Sequence, residues 1–127
     1  MPKLNTDKKH VSGPRLRVVI EPDVAIGPGK ADLLEAIRDT GSISAAGRKL
    51  GMSYRRAWLL VDELNQHLGA PVVEAQTGGA KGGGAALTAT GQEVLDRYRS
   101  MEAACREAIA GDVQALRNLI RRNQRHR

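Results

Sequence analysis

The stretch SAAGRKLGMSYRRAWLLVDELNQHL, residues 44–68, decides how this chain is read. Ser44 to Leu50 forms a helix-length segment with Ile43, Ala46 and Leu50 on one side, and Gly51 ends it. Met52 fills a turn, and Ser53 is placed to cap a helix running to about Leu68. In that helix Ala57, Leu60, Val61, Leu64 and Leu68 recur at i, i+3, i+4, i+7 and i+11, which makes a buried stripe. At ~100° per residue, Arg55, Leu59, Asp62 and Gln66 point away from the stripe, with Arg56 on one shoulder and Tyr54 and Trp58 on the other. The outer face is free for something other than packing.

A short helix, a glycine turn and a second helix that opens with outward polar and basic groups is how a helix-turn-helix offers side chains to the DNA major groove. Ala45, Ala46, Gly47 and Gly51 permit the close crossing it needs. Any helical corner has the same periodicity. Arg55 and Arg56 shift the balance, because arginine can bond guanine O6 and N7 together or clamp phosphates.

Downstream, Pro71 to Gln76 reads as a strand and Ala85 to Leu87 as a short returning one. Between them Thr77 to Gly84 reads as a mobile glycine loop carrying one lysine, Lys81. Neither G-x-x-x-x-G-K-[ST] nor G-x-G-x-x-G can be written there, which argues against nucleotide binding. Placed after a helix-turn-helix, the loop fits a wing, a hairpin tip that lays amides and a lysine along the DNA backbone; the alternative is a plain flexible hairpin. Thr88 can cap a long helix in which Val94, Tyr98, Met101, Cys105 and Ala108 form a heptad-like seam. Gly111 and Asp112 are expected to interrupt it, and Val113, Leu116 and Ile120 to restart a last helix ending in a basic tail.

Upstream, residues 1–14 read as a disordered basic arm, Arg15 to Glu21 as one strand and Asp23 to Gly29 as a loop. A helix follows from Lys30, with Leu33, Leu34 and Ile37 at helical spacing and Gly41 as its stop. The expected fold is mainly α with a small β-hairpin (α+β), a winged helix-turn-helix at 15–88 followed by dimerisation helices and tail at 89–127. The seam Val94, Tyr98, Met101, Cys105 and Ala108 is the expected dimer interface, since an apolar stripe too long for so small a core marks a contact surface.

A length of 127 residues allows one domain, and 20 Lys+Arg against 14 Asp+Glu leaves +6, which favours a polyanionic partner such as nucleic acid or an anionic membrane face. The aromatics are only Trp58, Tyr54 and Tyr98, too few for the stacking platforms of single-strand or RNA binders. Cys105 stands alone, so no intrachain disulfide is possible and a reducing compartment is expected. His10, His67 and His126 lie far apart without cysteine partners, so neither metal nor cofactor is expected. No run approaches the ~18 apolar residues of a membrane span, and the expected location is cytoplasmic. No catalytic group assembles: Glu35/Arg38 and Glu102/Arg106 read as helix-surface pairs, and Ser42, Ser44 and Ser53 have no nearby histidine. Cys105 reads as a structural thiol, so an enzyme is not expected.

Gly41-Ser42-Ile43-Ser44-Ala45-Ala46, Met52-Ser53-Tyr54-Arg55-Arg56-Ala57-Trp58, Leu64-Asn65-Gln66 and Thr77-Gly78-Gly79 with Lys81-Gly82-Gly83-Gly84-Ala85 and Leu87-Thr88 together resemble the N-terminal DNA-binding domain of ModE-type molybdate-responsive regulators, whose layout is LysR-like. The resemblance spans roughly residues 15–110. It implies a homodimer on a palindromic operator of double-stranded DNA, with DNA-facing roles for Ser53, Tyr54, Arg55 and Arg56. It implies backbone or phosphate roles for Thr77, Gly78, Gly79, Lys81, Gly82 and Gly83, and for Trp58 either packing or DNA contact. In that family molybdate is sensed by a further C-terminal region. Here its S-A-R-N-Q motif is echoed only by Arg122-Asn123-Gln124, with Ile120 and Arg121 ahead of them, so molybdate binding by this chain alone is not expected. The expected role is a sequence-specific transcriptional regulator. Its rivals are a nucleoid-type DNA binder of low specificity and a small oxyanion sensor built on the wing glycines.

Overall fold

A computed structural model describes residues 13–79 and 82–125, with 77–79 and 82–83 described through their backbone only. The expected arm lies almost wholly outside the described residues, as does Lys81.

Strand β1 (Val18–Glu21) pairs antiparallel with β2 (Val24–Ile26), Val18 opposite Ile26 and Val19 opposite Ala25. The expected loop over Asp23–Gly29 is therefore partly strand, and the first strand begins at Val18 rather than Arg15. The reason is burial: the turn at Pro22-Asp23 folds the chain back so that Ile26 reaches the core at 3% exposure. Helix α1 (Pro28–Thr40) starts ahead of Lys30, because Pro28 occupies the first turn, where a missing N–H costs nothing. It ends at Gly41, whose left-handed φ of 72° lets its N–H reach Ile37 O at 2.8 Å.

Helix α2 (Ile43–Lys49) and helix α3 (Tyr54–His67) are each opened by a serine cap. Ser42 Oγ accepts from Ala45 N–H at 3.0 Å and Ser53 Oγ from Arg56 N–H at 3.1 Å. Gly51 turns the chain between them at φ 71°. The crossing is tight at Gly47, where a Cβ would stand 3.3 Å from Ala57 Cβ and 3.4 Å from Met52 O. Ala57, Val61 and Leu64 bury the inner stripe of α3 against Leu33, Leu34 and Ile37 of α1.

Strands β3 (Val73–Gly79) and β4 (Gly82–Leu87) form the second hairpin, with Val73 opposite Leu87 and Gln76 opposite Gly84. The glycine segment expected to be loop from Thr77 to Gly84 is thus mostly strand. A ladder needs only backbone groups, and a register shift between Gln76 and Gly79 absorbs the mismatch.

Helix α4 (Ala89–Arg125) runs 37 residues without the break expected at Gly111-Asp112. One glycine costs a helix only about 1 kcal/mol, which is too little to break one of this length. Its first turns belong to the winged-helix core: Leu95 is 1% and Tyr98 0% exposed. Leu95 and Tyr98 thus pack in one core with residues that precede Thr88. Tyr98, expected in the dimer seam, is instead a core side chain whose hydroxyl donates to Leu16 O, and burial raises its phenol pKa. The expected pairs Glu35/Arg38 and Glu102/Arg106 are replaced by a cluster around Arg99, which bonds Asp32, Glu35 and Glu102 at 2.9 Å each. Burial acts to lower the Arg99 pKa, but the three carboxylates outweigh it and hold it above its ordinary value. This cluster ties α4 to α1. No helix among the described residues is long and apolar enough to cross a membrane.

Candidate nucleic-acid interface

Helix α3 presents its first two turns outward. Arg55 and Arg56 are exposed, Tyr54 is 57%, Trp58 45% and Leu59 55% exposed. Lys49, Arg55 and Arg56 form no ion pair among the described residues. Trp58 Nε1–H donates to Tyr54 Oη one turn back, which locks the two rings together on the side of the helix facing the β3–β4 hairpin. Farther along the outward face, Gln66 Nε2–H donates to Asp62 at 2.9 Å. Glu63 is engaged by Lys30 at 3.1 Å, whose hydrogen bond and charge hold its carboxyl below the usual range. The positive charge of α3 is therefore concentrated at its N-terminal end, where the helix dipole adds to it.

Hydrogen bonds at Asn65, Ala85 and Thr88 fix the hairpin and its two ends. Asn65 Oδ1 accepts from Val72 N–H at 2.8 Å and Val73 N–H at 3.2 Å, while its Nδ2 donates to Val73 O at 3.3 Å. Ala85 N–H bonds Gly41 O at 2.9 Å, linking the returning strand to the end of α1. Thr88 Oγ1 accepts from Gly91 N–H at 3.0 Å and donates to Pro71 O at 2.7 Å. A cleft of 320 Å³ remains between hairpin and helices, lined by Ser42, Ser44, Tyr54, Trp58, Glu74 and Gly84 among others. Asn65 is the residue whose part the sequence pattern did not reveal, because its partners, Val72 and Val73, lie at the entry to the strand that follows it. Asn65→Ala is expected to cost about 2–3 kcal/mol by leaving the Val72 and Val73 amides unpaired, measured by urea denaturation; a loss indistinguishable from zero would remove its anchoring role.

The structure thus brings Ser53, Tyr54, Arg55 and Arg56 together on one outward helix end. The backbone of Thr77, Gly78, Gly79, Gly82 and Gly83 lies in the neighbouring hairpin. The seam of α4 divides: Val94 packs on the core with Tyr98, whereas Met101 is 36% exposed, Cys105 half-buried and Ala108 exposed. Leu116, Leu119 and Ile120 continue the exposed apolar side at 60%, 45% and 58%. Arg122, Asn123 and Gln124 lie exposed in the last turn of α4. Among the described residues no cluster of histidine, cysteine or carboxylate is arranged to hold a metal.

Residues 30–92 match the family described as bacterial regulatory helix-turn-helix protein, lysR family. The chain is 43% identical over 91 residues to the molybdenum-pterin-binding protein MopB of Rhodobacter capsulatus, covering 72% of this chain and 34% of that one. It is 42% identical over 71 residues to the DNA-binding transcriptional dual regulator ModE of Escherichia coli, covering 56% and 27%. It therefore spans only about a third of the length of such relatives. Among solved structures, the CbnR_DBD–DNA complex superposes with a TM-score of 0.53 at 25% identity, covering 68% of this chain and 95% of that one. Full-length LysG from Corynebacterium glutamicum gives 0.54 at 25%, covering 72% and 29%. Through residues 30–92, its helix-turn-helix and adjoining glycine hairpin, this chain carries a LysR-type helix-turn-helix domain, and it is homologous to the ModE and MopB proteins over that part.

Proposed function

We propose that this protein binds double-stranded DNA sequence-specifically, as a homodimer on an inverted repeat. The observation that carries the reading is the exposed Arg55–Arg56 end of α3, without an ion pair among the described residues, set beside a glycine hairpin that Asn65 and Gly41 hold in place. Arg55 is assigned to base edges in the major groove. Tyr54 and Arg56 flank it, and Ser53 holds the helix end. Thr77, Gly78, Gly79, Lys81, Gly82 and Gly83 are assigned to the phosphate backbone, where glycines allow close approach of amides. The second protomer is assigned to the apolar side of α4 from Met101 onward, with Cys105 and Ala108. Pairing there would place two recognition helices about one DNA turn, ~34 Å, apart.

Selection of bound duplexes from a random pool tests this directly. An enriched inverted repeat is the expected result, whereas binding that survives scrambling of the sequence would favour the low-specificity alternative. On the selected duplex Arg55→Ala is expected to lose about 1–3 kcal/mol and blur one base position, while Lys81→Ala weakens all sequences alike. Equal, sequence-independent losses in anisotropy titrations would take Arg55 out of base reading. Light scattering at micromolar concentration is expected to report a dimer, and Met101→Glu to shift it toward a folded monomer. A monomer for the unmodified chain would defeat the inverted-repeat model.

A further inference from the structure

The outward line of α3 that begins at Arg55 continues one turn later with Leu59, an apolar side chain at 55% exposure. Its neighbour Trp58 is 45% exposed, and the one polar group of that ring, Nε1–H, is already given to Tyr54 Oη. Leu59 and Trp58 therefore offer apolar surface and no free hydrogen-bonding group. Arg55 and Arg56 stand beside this surface, which suits it to a polyanion carrying an apolar feature within reach. Asp62, the next residue on the line, is a carboxylate held by Gln66, so the stretch fit to approach phosphates and bases ends with Leu59.

In the major groove the apolar feature is the thymine C5 methyl. The other edges there present donors and acceptors that a leucine would strip of water without replacing the lost bonds. Resting on the DNA-binding reading above, we propose that Leu59, flanked by Trp58, contacts a thymine methyl and makes that T·A pair a specificity determinant next to the position met by Arg55. Burying one methyl group between apolar partners corresponds to about a fourfold change in affinity per half-site.

The test uses the full chain and the best duplex recovered from the random pool. Each thymine is replaced in turn by deoxyuridine, which keeps every hydrogen-bonding atom and lacks only the methyl. One position per half-site is expected to raise the Kd about fourfold for the unmodified protein, and the same replacement to have no effect on Leu59→Ala. The proposal is overturned if no thymine is sensitive, or if Leu59→Ala keeps the full sensitivity. Should uridine have no effect while Arg55→Ala still weakens binding, the methyl contact alone falls. If no duplex is enriched at all, the sequence-specific reading falls and takes this contact with it.

Discussion

Raising the salt from about 50 to about 200 mM is expected to weaken binding to the selected duplex by roughly three to five orders of magnitude. Each phosphate neutralised by a lysine or arginine releases a condensed counterion, so the slope of log affinity against log salt counts the contacts. Two recognition helices, two hairpins and two basic arms would neutralise on the order of 6 to 10 phosphates per dimer. The net charge of +6 alone would not promise this; its placement does. Lys49, Arg55 and Arg56 form no ion pair among the described residues, whereas several acidic groups are engaged by other cations, Asp32, Glu35 and Glu102 around Arg99 and Glu63 on Lys30. Anisotropy titrations at several salt concentrations measure the slope, and a flat response would mean that this face does not lie on a phosphate backbone.

Gly91→Ala is expected to destabilise the protein by about 3 kcal/mol or more and to lower the midpoint of a circular-dichroism melt by about 15 °C. A Cβ there would overlap the Val72 carbonyl oxygen and stand 2.9 Å from its carbon. Val72 has nowhere to go. It is fully buried, its N–H is held by Asn65 at 2.8 Å, and its carbonyl accepts from Thr88 N–H at 3.0 Å. Moving it would release both bonds and shift the root of the wing, so duplex binding should fall together with stability. Gly111→Ala in the same helix is the control. Beyond the helix's own neighbouring backbone nothing described lies within 4 Å of the position its Cβ would take, and replacing glycine by alanine in a helix interior should stabilise by up to about 1 kcal/mol. Equal effects at the two positions would show that the close approach to Val72 does not set the cost at Gly91.

The division between what was legible and what was not follows from the range of the interactions. The stripe Ala57, Val61 and Leu64, the serine caps at Ser42 and Ser53 and the left-handed glycines Gly41 and Gly51 each depend on residues within one or two turns. The sequence by itself therefore determined the helix-turn-helix, the outward direction of Arg55 and the strand pair around the glycines. Tertiary structure alone decided the rest, because the deciding partners are remote. Tyr98 sits on the same heptad-like spacing as Met101, and only its bond to Leu16, 82 residues away, makes it core rather than seam. Arg99 gathers Asp32 and Glu35 across more than sixty positions, so pairings inferred from i, i+3 or i, i+4 spacing could not find them. Residues 24–26 became a strand because folding back buries Ile26, and Gly111 stayed helical because nothing packs against it to force a break. Periodicity reports which face a side chain takes, but the partner waiting on that face is set by how the elements meet.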